Sequence, residues 1–129
     1  NDVTAETLAV VNLMSLFGLH RRLRGASVGH FAATEVTSPP GSRRMAQALK
    51  RLGAHEDCRS FYLEHVEADA VHEQVVRTDV VGDLVAREPQ LDRDVVFGIR
   101  AFGAVEDRLA DHLMTCWGEG RSSLRRPLA

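Results

Sequence analysis

Three side chains that can bind a metal recur at helical spacing in the middle of the chain. His65, Asp69 and His72 lie at positions i, i+4 and i+7. On an α-helix they share one face, within about 60° of arc and about 10 Å of axis. Two imidazoles and a carboxylate suit iron, manganese or zinc. The spacing therefore predicts a metal-ligating face on one helix.

Apolar residues continue this face in both directions. Phe61 lies one turn before His65, and Val76 lies one turn after His72. The three ionisable side chains are therefore expected to point inward, where an unpaired carboxylate costs several kcal/mol and charges are normally paired or metal-bound. The alternative left open is that Asp69 is simply the hydrogen-bond partner of two core histidines.

Glu35 is the second candidate ligand. It follows Phe31 by four residues and Val28 by seven, which puts it at the inward end of the first helical pattern. Taken alone, Glu35 is better interpreted as an exposed Glu near a helix end than as a ligand. Together with the His-Asp-His helix it would supply a carboxylate able to bridge two metals. The chain has neither Glu-x-x-His nor His-Glu-x-x-His, the motifs of ferritin-like di-iron bundles and zinc hydrolases.

The elements that must position these residues read as helices, because strand patterns are nearly absent. The helical blocks are separated by Pro and Gly, and they run from about Thr4 to Thr37, Ser42 to Leu52, Glu56 to Arg87 and Asp92 to Trp117. Ser38-Pro39-Pro40-Gly41 is expected to stop the first block. Gly29 inside it suggests a kink or a close helix contact, and the third block is expected to loosen near Gly82. The prediction is a single all-α domain over residues 1–129, a helical bundle with short connections.

Composition excludes several classes of function. The chain has 129 residues, 44% of them hydrophobic and 26% charged, as in one globular domain. A net charge of −2 argues against a nucleic-acid partner, and no apolar run is long enough to span a membrane. Two cysteines without a disulfide-rich pattern predict reduced thiols and a cytoplasmic location.

The chain also resembles a known family, the haem-oxygenase-like di-iron oxidases, and among them the bacterial iron-containing redox enzymes. The third helix of that family carries His-x3-Asp-x2-His, as His65, Asp69 and His72 do. Four stretches of the chain are similar to the family and appear in the family's order. They are Asn12-Leu-Met-Ser-Leu-Phe-Gly-Leu-His-Arg-Arg, Gly29-His-Phe-Ala-Ala-Thr-Glu35, Phe61-Tyr-Leu-Glu-His-Val-Glu-Ala-Asp-Ala-Val-His72 and Asp94-Val-Val-Phe-Gly98.

The resemblance implies a haem-oxygenase-like helical fold without haem, in which two irons activate O2 to oxidise a bound small molecule. It assigns the metal ligands to Glu35, His65, Asp69 and His72. Family members carry further ligands upstream of the position that matches Asn1, so the chain is expected to be the C-terminal part of such a domain, lacking the N-terminal helices. Such a part would hold at most a partial site, and its exposed apolar surface is expected to favour self-association, as a homodimer, or contact with a partner.

Two functions follow as hypotheses. The first is an enzyme: a non-haem di-iron oxidase or oxygenase with O2 as co-substrate. The second is a metal-free helical interaction or regulatory module, in which His65, Asp69 and His72 only form hydrogen bonds. Convergence of the four side chains on one point would favour the metal, and a solvent-facing Glu35 would disfavour it.

Overall fold

A computed structural model describes residues 2–126, apart from the side chains of Asp69 and Ala70. Five α-helices cover most of this part of the chain, and they are α1 (Ala5–Leu19), α2 (Arg24–Arg51), α3 (Glu56–Val75), α4 (Asp83–Arg87) and α5 (Asp92–Gly118). Short 3-10 turns cover Arg21–Leu23 and Pro89–Leu91, and a π-helix covers Val76–Gly82. No strand occurs within the described residues, so the all-α prediction is confirmed.

The first predicted block is two helices. Thr4 caps α1, because its side chain accepts a hydrogen bond from the backbone N–H of Thr7. The prediction of one helix through Thr37 is wrong, since α1 ends at Leu19. His20 adopts an extended backbone with φ −115° and ψ 104°, and a 3-10 turn then leads into α2. Residues 19–24 contain neither Pro nor Gly, so the usual stop signals did not predict this helix end.

The predicted stop at Ser38–Gly41 is also wrong. Helix α2 continues through Pro39 and Pro40 to Arg51, so the predicted second block, Ser42–Leu52, is its C-terminal part. Each proline lacks an N–H, which removes the helical hydrogen bonds to the carbonyls of residues 35 and 36. A helix can continue past a proline, because the lost hydrogen bonds affect only that turn and ordinary helical hydrogen bonds resume beyond it. The hydroxyl of Thr37 donates to the carbonyl of Ala33 at 2.8 Å just before the prolines.

The third and fourth predicted blocks are confirmed, with one refinement. Helix α3, the π-helix and α4 follow one another from Glu56 to Arg87, and the chain leaves helical geometry before Pro89. The loosening expected near Gly82 occupies the whole stretch Val76–Gly82. Helix α5 spans the predicted Asp92–Trp117 and one further residue.

The described chain divides into two compact units. The first contains residues 2–30 and 93–126, and the second contains residues 31–92. In the first unit α2 and α5 pack backbone to backbone. A Cβ added at Gly29 would lie 2.0 Å from the carbonyl oxygen of Val95, and one at Gly98 would lie 2.0 Å from that of Ala26. Gly29 is therefore a close-contact glycine, as its position predicted.

Aromatic rings complete the core of the first unit. His30 is 5% exposed. Its ring lies edge-on to Phe17 at 6.0 Å and to Phe102 at 5.3 Å between ring centroids. The core thus joins α1, α2 and α5. None of the described helices is long and apolar enough to cross a membrane.

Candidate metal centre

All four candidate ligands lie in the second unit, on two helices. Glu35 comes from α2, and His65, Asp69 and His72 come from α3. The start of α3 is fixed by its own sequence. His55 is the N-cap and its Nδ1 accepts from the backbone N–H of Asp57 at 3.3 Å, while Glu56 and Asp57 place negative charge at the positive end of the helix dipole.

Glu35 and His72 meet across the two helices. The Nδ1 atom of His72 lies 3.2 Å from the Oε2 atom of Glu35, although the residues are 37 positions apart in sequence. The side chain of Glu35 is 20% exposed and that of His72 is 54% exposed. Glu35 thus faces α3 rather than solvent. In this contact the carboxylate accepts a hydrogen bond from an Nδ1–H of His72.

His65 is oriented by its own helix. Its Nδ1 lies 2.6 Å from the backbone carbonyl oxygen of Phe61. A carbonyl oxygen can only accept, so Nδ1 carries the proton and Nε2 keeps the lone pair. The Phe61 ring also lies against the imidazole, with 4.2 Å between ring centroids. A histidine whose other nitrogen donates to a backbone carbonyl is the usual arrangement of a metal ligand.

The described side chains do not form a complete site. No group of three His, Cys, Asp or Glu side chains comes close enough to hold a metal ion among the residues that were described. The Asp69 side chain lies outside the described residues, and His65 does not join the pair of Glu35 and His72. The structure thus brings together two of the four predicted ligands.

The pair fits a metal in both chemistry and separation. An imidazole nitrogen and a carboxylate oxygen are ligands that iron accepts. Two ligands at right angles, each about 2.1 Å from one ion, are about 3 Å apart. The observed 3.2 Å between Nδ1 and Oε2 is close to that value. The same distance suits a direct hydrogen bond, so separation alone does not decide between them.

A cavity of about 250 Å³ lies beside the pair within the second unit. Its walls are Phe31, Glu35, His72, Val75, Val76 and Val80. Val76 is 3% exposed, whereas Phe31 and Val75 are 47% and 44% exposed. The ligand face therefore borders an open cavity, not a closed core.

This corrects one prediction about the ligand stripe. Val76 is buried as expected, but Phe61 is 59% exposed and does not face a packed core. The contribution of Val80 was not predicted, although Val80 follows Val76 by four positions and His72 by eight, which is a helical spacing. The sequence indicated loosening near Gly82, but not that a π-helix would cover Val76–Gly82.

The comparisons with known proteins identify one family. The model of a family described as iron-containing redox enzyme matches residues 1–107, which include all four candidate ligands. Neither a search of curated proteins nor one of solved structures gave a significant match. The family match confirms the resemblance drawn from the motifs, and with it the haem-oxygenase-like helical fold. The chain belongs to the family of iron-containing redox enzymes.

Proposed function

We propose that the protein is a non-haem di-iron oxidase or oxygenase that uses O2 to oxidise a small organic substrate in the cytoplasm. Glu35, His65, Asp69 and His72 would hold the iron. The observation that carries this proposal is the 3.2 Å contact between Glu35 and His72, because it joins two predicted ligands from separate helices. The match to an iron-containing redox family supports the choice of metal.

The chemistry of the ligands accords with this function. Glu35, His65, Asp69 and His72 would hold the iron, and the bound iron would supply the redox chemistry that an oxidation with O2 needs. The carboxylates of Glu35 and Asp69 would offset positive charge, which favours the oxidised metal. The backbone carbonyl of Phe61 holds the His65 ring in the tautomer with a free Nε2, the form needed for ligation.

The test is iron content after anaerobic Fe(II) reconstitution. We expect wild-type protein to retain iron after desalting, and we expect His72→Ala and Glu35→Gln to lose most of it, because each removes one member of the contacting pair. His20→Ala is the matched control, since His20 is an exposed histidine that belongs to the first unit. This variant should retain wild-type iron.

O2 uptake by the reconstituted protein then tests the enzyme. Uptake should require both iron and Glu35. Stoichiometric iron in His72→Ala would contradict the assignment of this ligand. A wild-type protein that stays folded but binds no iron would contradict the metal centre and favour the metal-free helical module.

A further inference from the structure

The cavity beside Glu35 and His72 has two chemically distinct parts. Four of its walls are hydrocarbon, contributed by Phe31, Val75, Val76 and Val80. The other two are the contacting carboxylate and imidazole of the candidate metal centre. A molecule bound there would meet an apolar surface over most of its area and one polar pair at its edge.

The size of the cavity limits what it can hold. Its volume is about 250 Å³. An apolar cavity of roughly 150 Å³ stays dry and binds benzene. A site somewhat larger than that suits a substituted ring or a short branched alkyl group. It lies slightly below the usual range for small-molecule sites, about 300–1,000 Å³.

The exposed fractions of the lining residues show which end of the cavity faces solvent. Val76 is 3% exposed and forms its floor, whereas Phe31 and Val75 are about half exposed and form its rim. An apolar group entering between the rim residues would lose its contact with water against Val76. The rest of the molecule would stay near Glu35 and His72.

We propose that the substrate carries an apolar aryl or alkyl group that binds in this cavity, with its reacting part held beside Glu35 and His72. The inference rests on the proposed function for the chemistry, but the binding of the apolar group needs no metal. Val76 and Val80 would then be specificity-determining residues, because they set the depth and the polarity of the cavity.

The experiment uses metal-free protein and ethylbenzene as the probe. Binding is followed in the methyl carbon–proton correlation spectrum of the valines. We expect saturable shifts for the methyl groups of Val75, Val76 and Val80. Val80→Thr should weaken binding about tenfold, because it buries a hydroxyl against the ring at about the volume of valine. Glycerol, a small polar molecule, should produce no saturable shifts at these residues.

Val71→Thr is the matched control. Val71 lies on α3, is 65% exposed and does not line the cavity. The Val71→Thr variant should bind ethylbenzene as the wild-type protein does. Val75→Thr repeats the test at an exposed rim position if Val80→Thr does not fold. Both cavity variants should retain wild-type iron content, so a failure of the metal centre and a failure of the cavity give different results.

Three results would overturn the inference. The first is the absence of saturable shifts at the three cavity valines. The second is binding that neither cavity variant weakens. The third is a concentration-dependent shift of the same methyl groups without ethylbenzene, which would assign the cavity to a contact with a second copy of the chain.

Discussion

His30 is a buried histidine that the ligand set does not use. It is 5% exposed and lies edge-on to Phe17 and Phe102. Burial lowers the pKa of His30 from its ordinary value of 6.5, because the charged imidazolium loses hydration. The imidazole of His30 therefore binds a proton less readily in the folded protein than in the unfolded chain.

This lowered pKa predicts that acid destabilises the fold. Above about pH 6.5 the histidine is neutral in both states, and its contribution to stability is fully present. As pH falls below that value the unfolded chain binds the proton first, so the free energy of unfolding decreases. One proton gives a slope of at most about 1.4 kcal/mol per pH unit.

Denaturant unfolding between pH 7.5 and 5 measures this slope. His30→Gln should flatten it, because the amide does not titrate. A wild-type stability that is constant over this range would rule out the effect. So would an equal slope in His30→Gln.

The candidate metal ligands show how much of the site can be predicted from residue types and their spacing. Helical phase placed His65 and His72 on one face, and the contact of His72 with Glu35 agrees with the ligand set that the family resemblance implied. The orientation of His65 toward the carbonyl of Phe61 could not be predicted. That bond depends on a side-chain rotamer, and spacing does not fix rotamers.

At the scale of elements, the crossing of α2 and α5 depends on two glycines. An added Cβ at Gly29 or Gly98 would lie 2.0 Å from a backbone carbonyl oxygen of the facing helix. A backbone atom cannot rotate away as a side chain can, so the helices would have to separate. This separation would disturb packing around buried neighbours such as Ala26.

We predict that Gly29→Ala destabilises the protein by about 1–3 kcal/mol, the usual cost of overpacking. Gly103→Ala on α5 is the control, because nothing lies within 4 Å of its added Cβ. It should stabilise the helix by about 0.5–1 kcal/mol, since alanine loses less backbone entropy than glycine. Equal effects of the two substitutions in urea unfolding would mean that the crossing is not tight.

The errors in the predicted elements have distinct physical causes. The break at His20 has no Gly or Pro directly after it, so residue types alone did not predict it. Pro39 and Pro40 are strong stop signals, yet helix α2 passes through them. The helix-breaking tendency of proline is an average over many proteins. In one protein, tertiary packing can outweigh the local penalty of about 3 kcal/mol. The strongly amphipathic α5 was predicted nearly to the residue.

At the scale of the whole molecule, a large apolar area remains in contact with solvent. On α1, Leu8, Val11 and Met14 are 36%, 56% and 57% exposed. They recur every three residues on one side of the helix. The net charge is only −2, so electrostatic repulsion between copies of the chain is weak. These features together favour association of the protein with itself.

We therefore predict concentration-dependent dimerisation, measured by sedimentation velocity. Val11→Glu should shift the equilibrium toward the monomer, because it places a charge on the apolar side of α1. Asn12→Glu adds the same charge at a neighbouring exposed polar residue and should have a smaller effect. A wild-type protein that sediments as a monomer at every concentration would refute the prediction.

The π-helix over Val76–Gly82 has a consequence for the order of residues along the chain. Its hydrogen bonds span five residues instead of four, so it holds one residue more per turn than the α-helices on either side. Deleting a single residue there would restore an ordinary helix without breaking it. Because the wide turn takes up that residue, every side chain from Asp83 onward would keep nearly its present direction about the helix axis relative to His72. The extra residue is therefore accommodated within the turn, and Val76 and Val80, four positions apart, line the same cavity.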